Sequence, residues 1–218
     1  MTVEVNGVKL FYEKSGAGVP MLLLHGNGED HTIFAALAAK LAKNNTLYAI
    51  DSRNHGQSDK HEDCSYAAMA ADVAAFVDAL ALGAVDIVGF SDGAILALLL
   101  AMDRPECVRK MALLGVNLSP ADFTEESLQF IRETYAETGD PLFKLMLEEP
   151  NIPLDAVRNM RTPALIVAAA DDIFKPEAFE ALAEAMPDAQ RLTMAGHDHG
   201  SYVIGSDVLF ADLERFFT

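Results

Sequence analysis

Basic side chains are scarce in this sequence. Its 218 residues include 16 lysines and arginines against 33 aspartates and glutamates, which gives a formal net charge of −17. Nucleic acids and anionic lipid surfaces attract proteins through positive charge, so we expect neither nucleic acid nor a membrane as a partner. The same charge disfavours polyanionic substrates and favours a neutral or cationic small molecule.

Cysteines and long apolar runs are also few. Cys64 and Cys107 lie far apart and without metal-ligand spacing, so we expect free thiols in a reducing compartment rather than a disulfide. Although 51% of the residues are hydrophobic, no apolar stretch is long enough to span a membrane. The first residues lack the basic and apolar regions of a signal peptide, and we therefore expect a cytoplasmic protein.

Sequence motifs for common cofactors are missing. No G-x-G-x-x-G follows a predicted strand, and there is no phosphate-binding P-loop. His31 and His61 have no partner at metal-ligand spacing and are expected at the surface. These absences predict a protein without a nucleotide cofactor or a metal.

Strand-like and helix-like patterns alternate along most of the chain. This alternation predicts an α/β fold with a mostly parallel central sheet and helices on both faces, in a single domain over residues 1–218. An antiparallel hairpin around Asn6 and Gly7 is expected at the sheet edge. Residues 118–160 interrupt the rhythm with helical stretches, which predicts a small helical cap over the carboxyl ends of the strands, where open α/β sheets bind ligands.

One turn carries a candidate nucleophile. An apolar strand over 85–90 leads into Gly89-Phe90-Ser91-Asp92-Gly93, and an apolar helix follows directly. In a G-x-S-x-G turn of this kind the serine hydroxyl is exposed at a sharp corner above the sheet. The backbone N–H of Asp92, at the start of the helix, is placed where it could stabilise an oxyanion.

A nucleophilic serine needs a base, and the base needs an acid that orients it. Acid candidates follow a predicted strand over 163–168, at Asp171 and Asp172. Base candidates follow a strand over 191–194, at His197 and His199. The resulting order of serine, aspartate and histidine is the one expected when the serine sits on a nucleophile elbow.

Four motifs together resemble the α/β-hydrolase superfamily over essentially the whole chain. The sequence His25-Gly26-Asn27-Gly28 is similar to the HG-x-G oxyanion loop of that superfamily, and residues 51–59 are similar to its D-x-R-x-H-G-x-S-D turn. Residues 89–93 match its elbow, and residues 163–176 resemble its acid motif. Ala169 departs from the glycine that is usual at this position of the acid motif.

The resemblance implies a role for each matched residue. It implies Ser91 as nucleophile, Asp172, four residues before Pro176, as the acid, and the N–H groups of Asn27 and Asp92 as the oxyanion hole. The spacing after Ala195-Gly196 favours His199 over His197 as the base. Ring and apolar side chains near these positions are expected to line the substrate pocket, namely Phe123, Phe143, Met146, Phe174 and Tyr202.

The expected activity is hydrolysis of small, mostly apolar carboxylic esters through an acyl-enzyme. The same residues would also serve a cofactor-free perhydrolase or acyltransferase, or a hydrolase of amide, thioester or carbon–carbon bonds. A non-catalytic ligand-binding module that retains the fold is the alternative from another class.

Overall fold

A mixed eight-stranded sheet forms the centre of the protein. The computed structural model describes all residues, 1–218, and its strands run in the spatial order β1-β2-β4-β3-β5-β6-β7-β8. The pairs β1–β2 and β2–β4 are antiparallel, whereas all pairs from β4 to β8 are parallel. The strands are β1 (Thr2–Val5), β2 (Val8–Gly16), β3 (Val19–Leu24), β4 (Asn45–Ile50), β5 (Val85–Phe90), β6 (Val108–Leu114), β7 (Ala164–Asp171) and β8 (Ala189–Asp198).

Helices cover both faces of the sheet, as predicted. The central strands are runs of apolar residues because both of their faces are buried. Along β3, Leu22 and Leu24 pack into one core, while Met21 and Leu23 pack into the other. One core is covered by α2 (Tyr66–Ala79), α3 (Asp92–Asp103) and α7 (Pro176–Ala185), and the other by α1 (Ala35–Leu41) and α8 (Phe210–Phe217).

The expected hairpin is present at the sheet edge. Val5 of β1 pairs with Val8 of β2, and the two residues between them, Asn6 and Gly7, have φ angles of 46° and 79°. Two successive positive φ angles are typical of a two-residue turn that matches the twist of its strands.

Residues 118–160 contain three α-helices between β6 and β7. These are α4 (Glu125–Thr138), α5 (Pro141–Glu148) and the short α6 (Leu154–Val157). Ile131 of α4 and Leu145 of α5 are buried and join the core of the α2, α3 and α7 face. None of the helices in the fold combines the length and hydrophobicity that crossing a bilayer would require.

Candidate active site

Ser91 occupies a strained corner between β5 and α3. Its backbone angles are φ 51° and ψ −115°, a conformation that costs a non-glycine residue about 1–3 kcal/mol and is kept only where the surroundings enforce it. The Ser91 N–H donates a hydrogen bond to the Leu114 carbonyl of β6 at 2.8 Å. A side chain at Gly89 would collide with the Gly93 backbone, and one at Gly93 would collide with the Leu24 backbone. The corner therefore requires both glycines.

His199 and Asp172 form a partly buried pair near this corner. The His199 Nδ1 lies 2.7 Å from Asp172 Oδ1, and the two side chains are 15% and 3% exposed. Asp172 Oδ2 accepts a hydrogen bond from the Ala169 N–H at 2.9 Å, which holds the carboxylate at the end of β7. A neutral imidazole that donates through Nδ1 presents Nε2 as an acceptor, which is the state a general base requires.

The side chains of His197 and Asp171, the other candidates for base and acid, form no hydrogen bond with each other or with this pair. The His197 Nδ1 is 3.1 Å from the Ser201 hydroxyl and makes no contact with Asp172. Asp171 is exposed at the end of β7, where it pairs in the ladder with Asp198 of β8. Strand β8 extends to Asp198, beyond the predicted end at 194, so His197 lies within the strand and His199 directly after it.

Three neighbours fix the ring of His199. The Phe90 ring centroid is 4.9 Å away, and the Phe174 ring lies edge-on at 5.3 Å. Below the ring is Gly115, at φ +60°, where an added Cβ would come within 2.5 Å of His199 Cε1. The ring can take this position only because residue 115 has no side chain.

His25 holds the loop after β3 in place. His25 Nδ1 lies 2.7 Å from the Gly26 carbonyl, and its Nε2 accepts a hydrogen bond from the Ser52 N–H at 3.0 Å. Burial, followed by the nearby His55, lowers the pKa of His25 to about 4. The ring is therefore neutral near pH 7 and ties this loop to the turn after β4.

Asn27 has a free backbone donor near Ser91. Its N–H has no hydrogen-bond acceptor within the protein. Its side chain donates to Asp92 Oδ2 at 3.1 Å and to the Leu142 carbonyl at 3.3 Å. The Asp92 N–H belongs to the first turn of α3, where backbone donors lack partners inside the helix. The N–H groups of Asn27 and Asp92, which are expected to form the oxyanion hole, are thus both without an acceptor inside the protein.

The Asp92 carboxylate is buried and paired. Tyr66 of α2 donates its hydroxyl to Asp92 Oδ1 at 2.7 Å, and Asn27 binds the other oxygen. Burial raises the pKa of the Asp92 carboxyl, and the hydrogen bonds from Tyr66 and Asn27 partly offset that rise. The carboxylate, at the N-terminus of α3, therefore also positions the side chain of Asn27.

A cavity of about 210 Å³ opens above Ser91 and His199. Phe143 and Met146 of α5 line it, together with Asn27, Glu29 and Ile173. Its remaining lining residues are Gly26, Phe90, Gly200 and Ile204. The cavity contains no lysine or arginine.

The expected lining residues Phe123, Phe174 and Tyr202 require a correction, because none of them lines this cavity. All three are buried, and Phe174 packs between the rings of Phe123 and Phe179. Tyr202 lies edge-on to Phe90, so it supports the floor of the site rather than its wall. Sequence reasoning missed several lining residues, and Glu29 is the one among them that carries a charge. Its only signal was an acid three residues after Gly26.

His31 also differs from expectation, since it is buried rather than exposed. Ligand atoms of Asp30, His31 and Asp51 lie within 4.8 Å of one another, a spacing that could hold a metal ion. Hydrogen bonds within the protein already engage these groups. Asp51 Oδ1 binds both the backbone N–H and the Nδ1 of His31, and Asp30 caps the next short helix. The cluster thus holds the turn after β4.

Similarity to known proteins identifies the family. A family model described as alpha/beta hydrolase fold matches residues 19–157. The chain therefore belongs to the α/β-hydrolase family.

Individual relatives resemble the chain over different lengths. It is 31% identical to 2-(acetamidomethylene)succinate hydrolase of Mesorhizobium japonicum over 166 residues, which are 72% of this chain and 58% of that protein. It is 33% identical to 2-hydroxymuconate semialdehyde hydrolase of a Pseudomonas species over 50% of this chain and 40% of that protein. The matches thus span about half the length of these curated relatives.

A solved structure shows the same fold over the whole chain. The N-acyl homoserine lactone degrading enzyme Est816 superposes with a TM-score of 0.83, covering 100% of both chains at 24% identity. At this identity the likeness concerns the fold alone.

Proposed function

We propose that this protein is a serine hydrolase that cleaves small, mostly apolar carboxylic esters through an acyl-enzyme. One observation carries the proposal. His199 Nδ1 lies 2.7 Å from Asp172 Oδ1, and His199 lines the same cavity as the strained Ser91. Nucleophile, base and acid come from three separate strand ends. Such a constellation is recognised by its geometry and roles rather than by sequence position.

In the proposed reaction, Ser91 Oγ attacks the ester carbonyl while His199 Nε2 accepts its proton. The backbone N–H groups of Asn27 and Asp92 stabilise the oxyanion, and Asp172 stabilises the imidazolium. His199 then donates the proton to the departing alcohol. Water attacks the acyl-enzyme with the same base, which releases the acid and restores Ser91.

The cavity supports a small substrate. Its volume of about 210 Å³ and its lining by Phe143, Met146, Ile173 and Ile204 favour a short apolar group beside the carbonyl. We further propose that the chain acts as one domain in which residues 118–160 form a cap, since α5 supplies Phe143 and Met146. The protein is proposed to work without a metal or cofactor.

Hydrolysis of amide or carbon–carbon bonds is a second candidate. It is favoured by the relatives, whose names describe hydrolases of 2-(acetamidomethylene)succinate and of 2-hydroxymuconate semialdehyde. The catalytic residues would be the same, so a substrate panel with all three bond types separates the candidates.

Hydrolysis of p-nitrophenyl esters from acetate to octanoate tests the proposal. We expect kcat/KM to be highest for the short chains and to fall by about 10⁴-fold or more in Ser91→Ala. The exposed Ser15→Ala, on β2, is the matched control and should retain the wild-type rate. Equal rates for wild type and Ser91→Ala would contradict the proposal.

A further inference from the structure

Glu29 places a carboxylate in the cavity beside Ser91. Its Oε2 accepts a hydrogen bond from the Gly26 N–H at 3.0 Å. A Cβ added to Gly26 would lie 2.8 Å from Glu29 Oε2 and 3.1 Å from Ser91 Cβ. The carboxylate oxygen and Ser91 Cβ therefore cannot be farther apart than these two distances combined. This is within reach of a group two to four bonds from a reacting carbonyl.

No basic side chain of the protein neutralises this carboxylate. Glu29 takes part in none of the ion pairs, and Oε1 makes no hydrogen bond. Burial raises the pKa of the Glu29 carboxyl, with Asp92 and Asp30 adding to the rise and Gly26 and His199 opposing it. A partly buried anion without a counter-ion gains stability when a ligand brings a positive charge.

The charge of the whole molecule acts in the same direction. A net charge of −17 attracts cations from solution, and the cavity has no lysine or arginine to repel them. Phe143 and Met146 of α5 line the same cavity as Glu29, so they would contact the methyl or methylene groups of an organic cation bound there.

Building on the proposed esterase function, we propose that Glu29 makes the site selective for esters that carry an ammonium group near the scissile carbonyl. The substrate class is thus an ester of an amino alcohol or of an amino acid with a tertiary or quaternary nitrogen. Glu29 acts on specificity here and takes no part in the proton transfers of the reaction.

Two pairs of isosteric esters test this inference. One pair places the charge in the alcohol: 2-(trimethylammonio)ethyl acetate against 3,3-dimethylbutyl acetate. The other places it in the acyl group: the phenyl esters of 4-(trimethylammonio)butanoate and of 5,5-dimethylhexanoate. The readout is the ratio of kcat/KM for the charged and the neutral member, measured for wild type and for Glu29→Gln.

Glu29→Gln keeps an oxygen that can accept the Gly26 N–H and removes only the charge. We expect it to lower the charged-to-neutral ratio about tenfold for at least one pair, since a partly exposed charge pair contributes on this scale. The pair that responds shows on which side of the ester the cation binds. Glu137→Gln, which removes an exposed charge on α4, should keep the wild-type ratios.

The contrary outcomes are distinguishable. Equal ratios in wild type and Glu29→Gln for both pairs, with the neutral esters still hydrolysed, would overturn this inference alone. If wild type hydrolysed the p-nitrophenyl esters but none of these four, this inference alone would fall. If it hydrolysed neither set, the proposed function would fall and this inference with it.

Discussion

The position of the His199 ring depends on a residue that contributes no side chain to the site. Gly115 follows β6 at φ +60°, and its N–H donates to the Val167 carbonyl at 2.8 Å. The ring of His199 occupies the space where a side chain at this position would lie. A single methyl group would therefore displace the proposed base.

Gly115→Ala tests this dependence. We expect kcat for ester hydrolysis to fall about 10²-fold, because a displacement of about 1 Å in a catalytic group costs this much. The positive φ should also lower the free energy of unfolding by about 1 kcal/mol. Steady-state kinetics and urea unfolding measure the two effects.

Gly139→Ala is the matched control for that variant. Gly139 ends α4 at φ +67°, and a Cβ there would meet nothing within 4 Å. Gly139→Ala should lower the free energy of unfolding by a similar amount but keep the wild-type kcat. An equal loss of kcat in both variants would show that backbone strain, and not displacement of His199, is responsible.

At the residue scale, spacing carries most of the information about the proposed base and acid, and the two residues that it favours, His199 and Asp172, contact each other at 2.7 Å. The count from Gly196 separates His199 from His197, and the count back from Pro176 separates Asp172 from Asp171. Glu29 and Phe174 could not be placed in this way. Whether their side chains enter the cavity depends on the path of a loop and on ring packing, which no local pattern encodes.

At the scale of elements, a buried ion pair joins the turn after β4 to helix α2. The Arg53 guanidinium contacts Asp72 through two nitrogens, at 2.6 and 2.7 Å, and both side chains are buried. Asn6 of the edge hairpin also donates to Asp72, at 3.0 Å. The sequence motif identified this turn, but it did not reveal that Asp72 would be its partner, because the crossing of α2 over the sheet brings the two together.

Asp72→Asn should destabilise the protein strongly. The substitution leaves the Arg53 charge buried without a counter-ion, so we expect the free energy of unfolding to fall by about 3–5 kcal/mol. The control is Asp78→Asn, which breaks an exposed two-contact pair with Arg104, at 2.6 and 3.0 Å, and should have a much smaller effect. Urea unfolding measures both, and equal losses would contradict the assigned role of burial.

At the scale of the molecule, the parallel sheet brings distant motifs together. The loop after β3, Ser91, Asp172 and His199 follow the carboxyl ends of β3, β5, β7 and β8, and these strand ends lie at the same edge of the sheet. Alternating strand and helix patterns were enough to predict this convergence and the helices on both faces. They could not predict how α4 and α5 pack over the cavity, because amphipathic helices in an insertion can dock in several orientations.

We propose that His199 activates Ser91, since both residues line the same cavity at these strand ends. Reaction of the purified protein with a fluorophosphonate, followed by mass spectrometry, tests it most directly. We predict labelling at Ser91 in wild type, the same labelling in His197→Ala, and strongly slowed labelling in His199→Ala. Absence of labelling at Ser91 in wild type, or unchanged labelling in His199→Ala, would contradict the account.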